Sequence, residues 1–538
     1  FWLKFFNLFL AMLWIRADVF EHSVVSLQQP IQEAQVVKVL ESLKRRVVNP
    51  QTGATTGSVS KQHWFGEIAR SQLIARDEAL VLWNSFLRTV GPRAERGAES
   101  VELRQLAILL VCQLFRPSST PARPAEATGY GVEMSAWAHQ VPRSMQKGEN
   151  EREIARDDAA ILDFVKENIP LFLRACTLQL DNEVTEVALD EWEACGFMLE
   201  AGPTLAAASP SLSGATPMFE GQTVVSASDL QAWVRDTLIW NVTLYPPLTA
   251  FRPLAHPMAC SDPAARCCVV FGRTNQTVLL DQKVHGPFKR LYIEACTNTT
   301  VYISSRVQAV HVSACKGVTV VALYVGNCVT VANCTVMSLH ICTEYIRMEN
   351  VEESYAHLWT RFPPALTGVC KGLTLGPFNV VNAQIAEALQ AAGATLEQRE
   401  CTTWGFPICP ALAGEQSTEA RDKVFKVLKP EAFHLLFFPD SIAGDLQRVS
   451  IFLPEVYAAV YAEKVGAIQE IQQMLHNLPP DASRQVIAAM DRRFQRWLVQ
   501  SGRHHFVEQL AEAVGGTEVM EPPPVAADPS HSLVQSGH

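Results

Sequence analysis

Three short stretches decide the fold: Leu291-Tyr292-Ile293-Glu294-Ala295-Cys296, Val310-His311-Val312-Ser313-Ala314-Cys315 and Val329-Thr330-Val331-Ala332-Asn333-Cys334. Each runs as alternating residues into a cysteine, and the cysteines are separated twice by 19 residues. Five residues beyond each cysteine stands another apolar position: Val301, Val320 and Leu339. Seven beyond stand Ile303, Ala322 and Ile341. Alternation rich in β-branched residues is the mark of a strand. Strand repeats of about 20 residues bury their apolar edges by stacking, so equivalent inward residues form ladders. Cysteine suits a ladder because it is small, apolar and adaptable. The pattern predicts a right-handed parallel β-helix over residues 258–376. Matching flanks in three successive units argue against an antiparallel sheet with a chance echo.

On either side the periodicity changes. Residues 12–245 read as a mostly helical region. Asp77 or Glu78 starts a helix with Leu80, Trp83 and Leu87 on one face, ended by Gly91-Pro92; Ser100 caps a second carrying Leu103, Leu106, Leu110 and Leu114. Further amphipathic stretches run through Ile161–Phe172 and Val184–Met198, and Ser228 caps Asp229–Trp240. Pro- and Ser-rich loops are expected at 116–150 and 202–217. Residues 377–514 read as an α+β region: a helix over Ala383–Ala392, then strands at Val424–Leu428 and Phe433–Phe438. Two helices then close the fold. The first carries Val460, Lys464, Ile468, Ile471 and Leu475; the second carries Val486, Met490, Phe494, Trp497 and Leu498, with its aromatic residues expected in the core. Residues 515–538 read as a disordered tail.

The chain has 538 residues, 48% apolar and 19% charged, which suits about three folded units with ample core. A net charge of −10 opposes a dominant nucleic-acid-binding function. The apolar run to Ile15 is interrupted by Lys4 and Asn7 and is shorter than the ~20 residues of a spanning helix, so no membrane insertion is expected. Two readings of this start compete. One is a secretory signal, which sequons at Asn241, Asn275, Asn298 and Asn333 would fit. The preferred one is translation from Met12, with residues 1–11 untranslated or disordered. Eight of the 14 cysteines lie between Cys260 and Cys342 without paired metal-ligand spacing. They read as reduced cytosolic thiols.

Known chemical motifs are missing. The sequence has no phosphate loop, HExxH or GxSxG, and His504-His505 lack partner ligands nearby. No cofactor and no metal are therefore expected, and the ligand-binding residues are left unassigned. A secreted carbohydrate-active β-helix would need clustered carboxylates, whereas the ladder strands from Leu291 to Leu339 hold only Glu294.

The cysteine strands, the strand ending Leu373-Thr374-Leu375-Gly376-Pro377-Phe378 and the segment Phe494–Arg503 together resemble the TBCC domain-containing protein 1 family, relatives of tubulin-folding cofactor C. Leu13–Phe20 and the block Val424–Pro439 are similar to the family's start and to its strand pair after the β-helix. The resemblance implies a C-CAP/cofactor C-like β-helix with a helical region before it and a family-specific region after it. It also implies a non-enzymatic scaffold or linker in the cytoplasm, at the microtubule-organising centre, centrosome, basal body and spindle pole. Such a protein positions centrosome and Golgi and influences cell shape and migration. Its partners would be cytoskeletal or centrosomal proteins, tubulin or a small GTPase among them.

One residue opens an alternative. Cofactor C and its retinal relative act as GTPase-activating proteins through an arginine in a Gln-x-Arg setting, and the matching position here is Ile346-Arg347, with Tyr345 in place of the glutamine. Arg347 is thus the candidate arginine finger toward tubulin or an Arf-like GTPase, donating to a transferring phosphoryl group. Glu344, Glu349, Glu352 and Glu353 surround it in sequence and would repel phosphates. The favoured expectation is a surface arginine balancing those glutamates, with no catalytic residue in the chain.

Overall fold

The structure, a computed structural model, describes residues 13–47, 57–71, 74–89, 100–116, 158–179, 183–201, 211–241, 245, 258–259, 267–281, 288–381, 400–415, 417–438 and 453–500. The expectations for residues 1–11, the 117–150 part of the first loop, most of the second loop, Gly91-Pro92, the Ala383–Ala392 helix, His504-His505 and the tail lie outside these residues.

The N-terminal region is built on strand β1 (Leu13–Ile15), followed by helices α1 (Ala17–His22), α2 (Glu33–Val47), α3 (Lys61–Ser71), α4 (Arg76–Thr89), α5 (Leu103–Cys112), α6 (Asp158–Glu167), α7 (Ile169–Thr177) and α8 (Leu189–Ala194). Strand β2 (Leu199–Ala201), helix α9 (Ala227–Thr237) and strand β3 (Leu238–Ile239) complete it. β1 pairs antiparallel with β2 and parallel with β3, so three distant segments share one small sheet. Trp64, Trp83, Phe86, Leu106, Leu110 and Trp192 fill the helical core.

Two caps differ from expectation. Ser100 begins a short strand paired with Ser58–Ser60, and α5 starts after Glu102 with no side-chain cap. Ser226, not Ser228, caps α9, its hydroxyl accepting from the Asp229 amide. The 161–172 stretch is two helices, broken at Asn168 with Pro170 in the first turn of α7.

The centre is a parallel β-solenoid of about six turns. Its strands are β4 (Cys267–Phe271), β5 (Thr277–Leu280), β6 (Arg290–Glu294), β7 (Thr300–Ile303), β8 (Val307–Ser313), β9 (Thr319–Thr335), β10 (Ser338–Glu352), β11 (Tyr355–Thr360), β12 (Ala365–Thr367) and β13 (Leu373–Pro377). The predicted ladders form. Val301, Val320 and Leu339 are in register, as are Ile303, Ala322 and Ile341. Thr297, Lys316 and Thr335 bridge in parallel, which superposes the preceding cysteines Cys296, Cys315 and Cys334 along the inner wall. The twelve cysteines whose side chains are described are all free and buried.

After β14 (Val380–Val381), the strands expected as a pair separate. β15 (Phe425–Val427) pairs parallel with Leu373–Leu375 as one more solenoid rung, beyond the expected boundary at 376, whereas β16 (Leu436–Phe437) pairs with β14. Two long helices follow, α10 (Glu455–Asn477) and α11 (Pro480–Gln500). The chain divides into two compact units, up to Gln473 and from Met474. In the first, Tyr457 at the start of α10 is buried against Trp404 and Phe433, and the Lys464 ammonium donates to the carbonyls of Glu431 and Phe433 at 2.6 and 2.8 Å. The expected apolar stripe of α10 is not core, since Ile468 and Ile471 are exposed. Phe494 and Trp497 of α11 are likewise exposed.

Candidate functional site: the covered face of the solenoid

Strand alternation sends Leu291, Ile293, Val310, Val312, Val329, Val331, Ile346 and Met348 inward. Their neighbours point outward and stack in register. One column is Arg290–Ala309–Cys328–Tyr345, and the next is Tyr292–His311–Thr330–Arg347. Parallel strands are usually covered on both faces. Here the cover is the N-terminal region, and Ala309, Cys328, Tyr345 and Ala365 are part of its apolar core.

α1 and the residues after it lie along the second column. The Tyr292 hydroxyl donates to the Glu21 carboxylate at 2.9 and 3.1 Å. His22 Nδ1 and Thr330 Oγ1 share a hydrogen bond of 2.9 Å. Arg347, only 3% exposed, reaches main-chain atoms: one terminal nitrogen donates to the carbonyls of Val24 at 2.6 Å and His22 at 3.3 Å, the other to that of Glu21 at 3.0 Å. Its partner carboxylate is Glu349, at 3.8 Å. Glu349 also accepts from the Ser26 hydroxyl.

The expectation of a surface arginine is thereby corrected. Alternation turns Ile346 into the core and Arg347 out of the coil, but that outward side faces the N-terminal helical region rather than water. Glu344 does not serve Arg347 either. It is buried and paired with Arg88 of α4, whose guanidinium also stacks 4.2 Å from the centre of the Phe362 ring.

At the other end of the face Arg290 sits 3.8 Å from Asp18 and 4.8 Å from the centre of the Tyr245 ring. Burial opposes the charge on Asp18, but Arg16 and Arg290 outweigh it and hold the carboxyl well below the usual carboxylate range. Burial pushes His22 below the ordinary histidine value, against the pull of Glu21 and Asp18. The Cys328 thiol and Tyr345 hydroxyl are each pushed up to about 12, chiefly by burial. Asp18, His22, Arg88, Arg290, Gln308, Ala309, Asn327 and Cys328 enclose a polar cavity of about 50 Å³. Among the described residues no three His, Cys, Asp or Glu side chains converge as metal ligands.

The solenoid's other outward face holds a second buried polar group. His340 and His357 are in register, their rings stacked with centroids 4.9 Å and planes 4° apart. His340 Nδ1 donates to Asn379 Oδ1 at 2.7 Å and its Nε2 accepts from Ser338 at 2.9 Å; His357 Nδ1 donates to the Pro377 carbonyl at 3.3 Å. Burial pushes their values down to about 4 and about 3.

Nothing in the pattern of residues 12–245 beyond a mostly helical region points to the N-terminal half of this contact. A signal was present nonetheless. Arg290, Tyr292, His311 and Arg347 are large polar side chains that alternate along their strands with the inward apolar residues Leu291, Val310 and Ile346.

A parallel solenoid whose one outward face is closed by the N-terminal helical region thus frames the site. Residues 288–404 match the family model described as Tubulin binding cofactor C. The chain is similar to proteins named TBCC domain-containing protein 1: 23% identical over 230 residues to that of Danio rerio, covering 42% of this chain and 35% of the relative. To the Bos taurus protein it is 22% identical over 236 residues, 43% and 37% of the two chains. To the Homo sapiens protein it is 19% identical over 228 residues, 42% and 40%. The matched stretch thus spans well under half the length of these relatives. The family resemblance drawn from the cysteine strands is borne out.

Proposed function

We propose that this protein is a non-enzymatic scaffold or linker of microtubule-organising structures, acting in the cytoplasm at the centrosome, basal body and spindle pole and setting centrosome and Golgi position. The domain match ties the chain to a cytoskeletal role related to the tubulin-folding cofactors. The observation that carries the non-enzymatic reading is the environment of Arg347. Three main-chain carbonyls and Glu349 occupy its guanidinium, so this face of the solenoid serves as a wall for the N-terminal helical region instead of presenting a cation to a nucleotide. Cytoskeletal or centrosomal proteins, tubulin among them, are the partners this reading calls for.

Localisation of the tagged full chain tests the placement. Concentration at centrioles is expected, with displaced centrosome and Golgi on its loss; an even cytosolic spread would end the reading. GTP turnover by tubulin or an Arf-like GTPase tests the chemistry. Wild type and Arg347→Ala should leave turnover equally unchanged, and stimulation by wild type that the variant lacks would restore the arginine-finger alternative.

A further inference from the structure

The thiol column ends on a cation. Thr274 bridges in parallel to Thr297, as Thr297 does to Lys316 and Lys316 to Thr335. The residues just before these are Arg273, Cys296, Cys315 and Cys334, so Arg273 holds in the β4–β5 coil the place that cysteine holds in the next three. Arg273 is 6% exposed, its Nε is buried without a hydrogen-bond partner, and no carboxylate of the described residues pairs with it. A buried guanidinium that lacks an anion is costly. The one titratable group acting on it is the Cys296 thiol.

Cys296 and Cys315 stand on adjacent coils in the same pose. Each thiol donates to the carbonyl two residues earlier, Cys296 to Glu294 at 3.3 Å and Cys315 to Ser313 at 3.2 Å. Strands in register lie about 4.8 Å apart, within the roughly 4.4–6.8 Å between Cα atoms that a disulfide bridges. The two thiols are not equivalent. The hydrogen bond offered by Cys315 outweighs burial and, with the Arg273 amide and guanidinium, holds Cys296 below the ordinary cysteine value. Burial pushes Cys315 well above it. Cys334 stands one coil further from the guanidinium.

We propose that Cys296 and Cys315 are a redox-responsive pair, which hydrogen peroxide converts into a disulfide that staples two coils of the solenoid. The Cys296 thiolate, facing Arg273, attacks one peroxide oxygen. The O–O bond breaks, hydroxide leaves to take up the proton the thiol had released, and Cys296 becomes a sulfenic acid. The Cys315 sulfur then attacks the Cys296 sulfur. The S–O bond breaks, and the departing hydroxide carries off the Cys315 proton as water. The pair thus loses two electrons and two protons, and peroxide is reduced to two waters. A dithiol reverses the staple by exchange. Among the described strands only the β4–β5 coil and the short strand Met258–Ala259 lie beyond Cys296, so local opening at that end reaches this pair before the rest of the column.

Peptide mapping of the folded full chain tests this, after hydrogen peroxide at neutral pH and alkylation of the remaining thiols. Trypsin releases Leu291–Arg306 and Val307–Lys316, each with one cysteine. The two should appear joined, two hydrogens lighter than their sum, and dithiothreitol should part them. In Cys315→Ala, dimedone should label Cys296, because the sulfenic acid has lost its resolving thiol; Cys315→Ser serves if the alanine variant does not fold. Arg273→Met should slow the loss of the Cys296 thiol by about tenfold and leave that of Cys334 unchanged. Three outcomes would overturn the proposal: joined peptides that form only after unfolding in urea, dimedone on Cys334 in place of Cys296, or equal rates in Arg273→Met and wild type.

Discussion

In each of three coils the recurrent cysteine stands between two left-handed corners, one residue after the first and two before the second. The first corners include Ala295, Ala314 and Asn333, with φ of 51, 51 and 55°; the second include Asn298, Gly317 and Val336, with φ of 48, 67 and 57°. A chain bending twice within four residues leaves room only for a small inward side chain, which a thiol supplies. The corners also account for three of the four sequons. Asn275, Asn298 and Asn333 all have positive φ, a conformation asparagine tolerates. Equivalent corners should respond to substitution with opposite sign. Val336 is β-branched, left-handed and 54% exposed, so Val336→Gly should stabilise the fold by about 1 kcal/mol in urea denaturation. Gly317→Ala one coil earlier should destabilise it by about 1–2 kcal/mol, because a Cβ there would come within 2.4 Å of Asn298 Oδ1 at φ +67°.

At the scale of elements, α1 and the residues after it couple the helical region to the solenoid. Arg347→Ala would leave the carbonyls of Glu21, His22 and Val24 without their buried donor and Glu349 without its cation. Unfolding free energy should drop by about 3 kcal/mol. Amide hydrogen exchange over residues 17–26 should rise more than in the solenoid rungs; uniform acceleration would show that the arginine supports the coil and not the docking. Arg347→Lys should recover only part of the loss, since an ammonium lacks the two-pronged reach used here. The solenoid rungs were legible because inward positions recur at a fixed spacing, and register follows from spacing. The docking was not, because outward residues obey no period and their partners lie on a segment far away in the sequence, 271 positions for Tyr292 and Glu21 and 326 for Arg347 and Glu21. Caps shifted for a local reason: Ser100 and Ser226 each sit at the end of a short strand pair that propensity cannot foresee.

Over the whole molecule, buried neutral imidazoles should govern acid sensitivity. The ordinary histidine value is about 6.5, and His340 and His357 are held at about 4 and about 3 in the fold. Below 6.5 the unfolded chain therefore binds more protons than the native one, so stability rises with pH through that window and is lost as pH falls from 6.5 toward 4. Between pH 7.5 and 5 each should cost roughly 2 kcal/mol, with His22 adding in the same direction. A His340→Gln/His357→Gln variant should show a flatter pH dependence of its denaturation midpoint, and an unchanged slope would refute the assignment. The C-terminal helices show where amphipathic pattern misleads. A stripe states that a face seeks an apolar neighbour, but not whether the chain itself supplies one.

Arg347 grips carbonyl oxygens, which every amino acid carries alike. The identities of residues 22 and 24 are thus free to drift without loosening that latch, while the arginine itself is not. The part of the docking written in peptide units would leave little trace in the spelling of the N-terminal segment, in contrast to the part carried by the side chains of Glu21, His22 and Ser26.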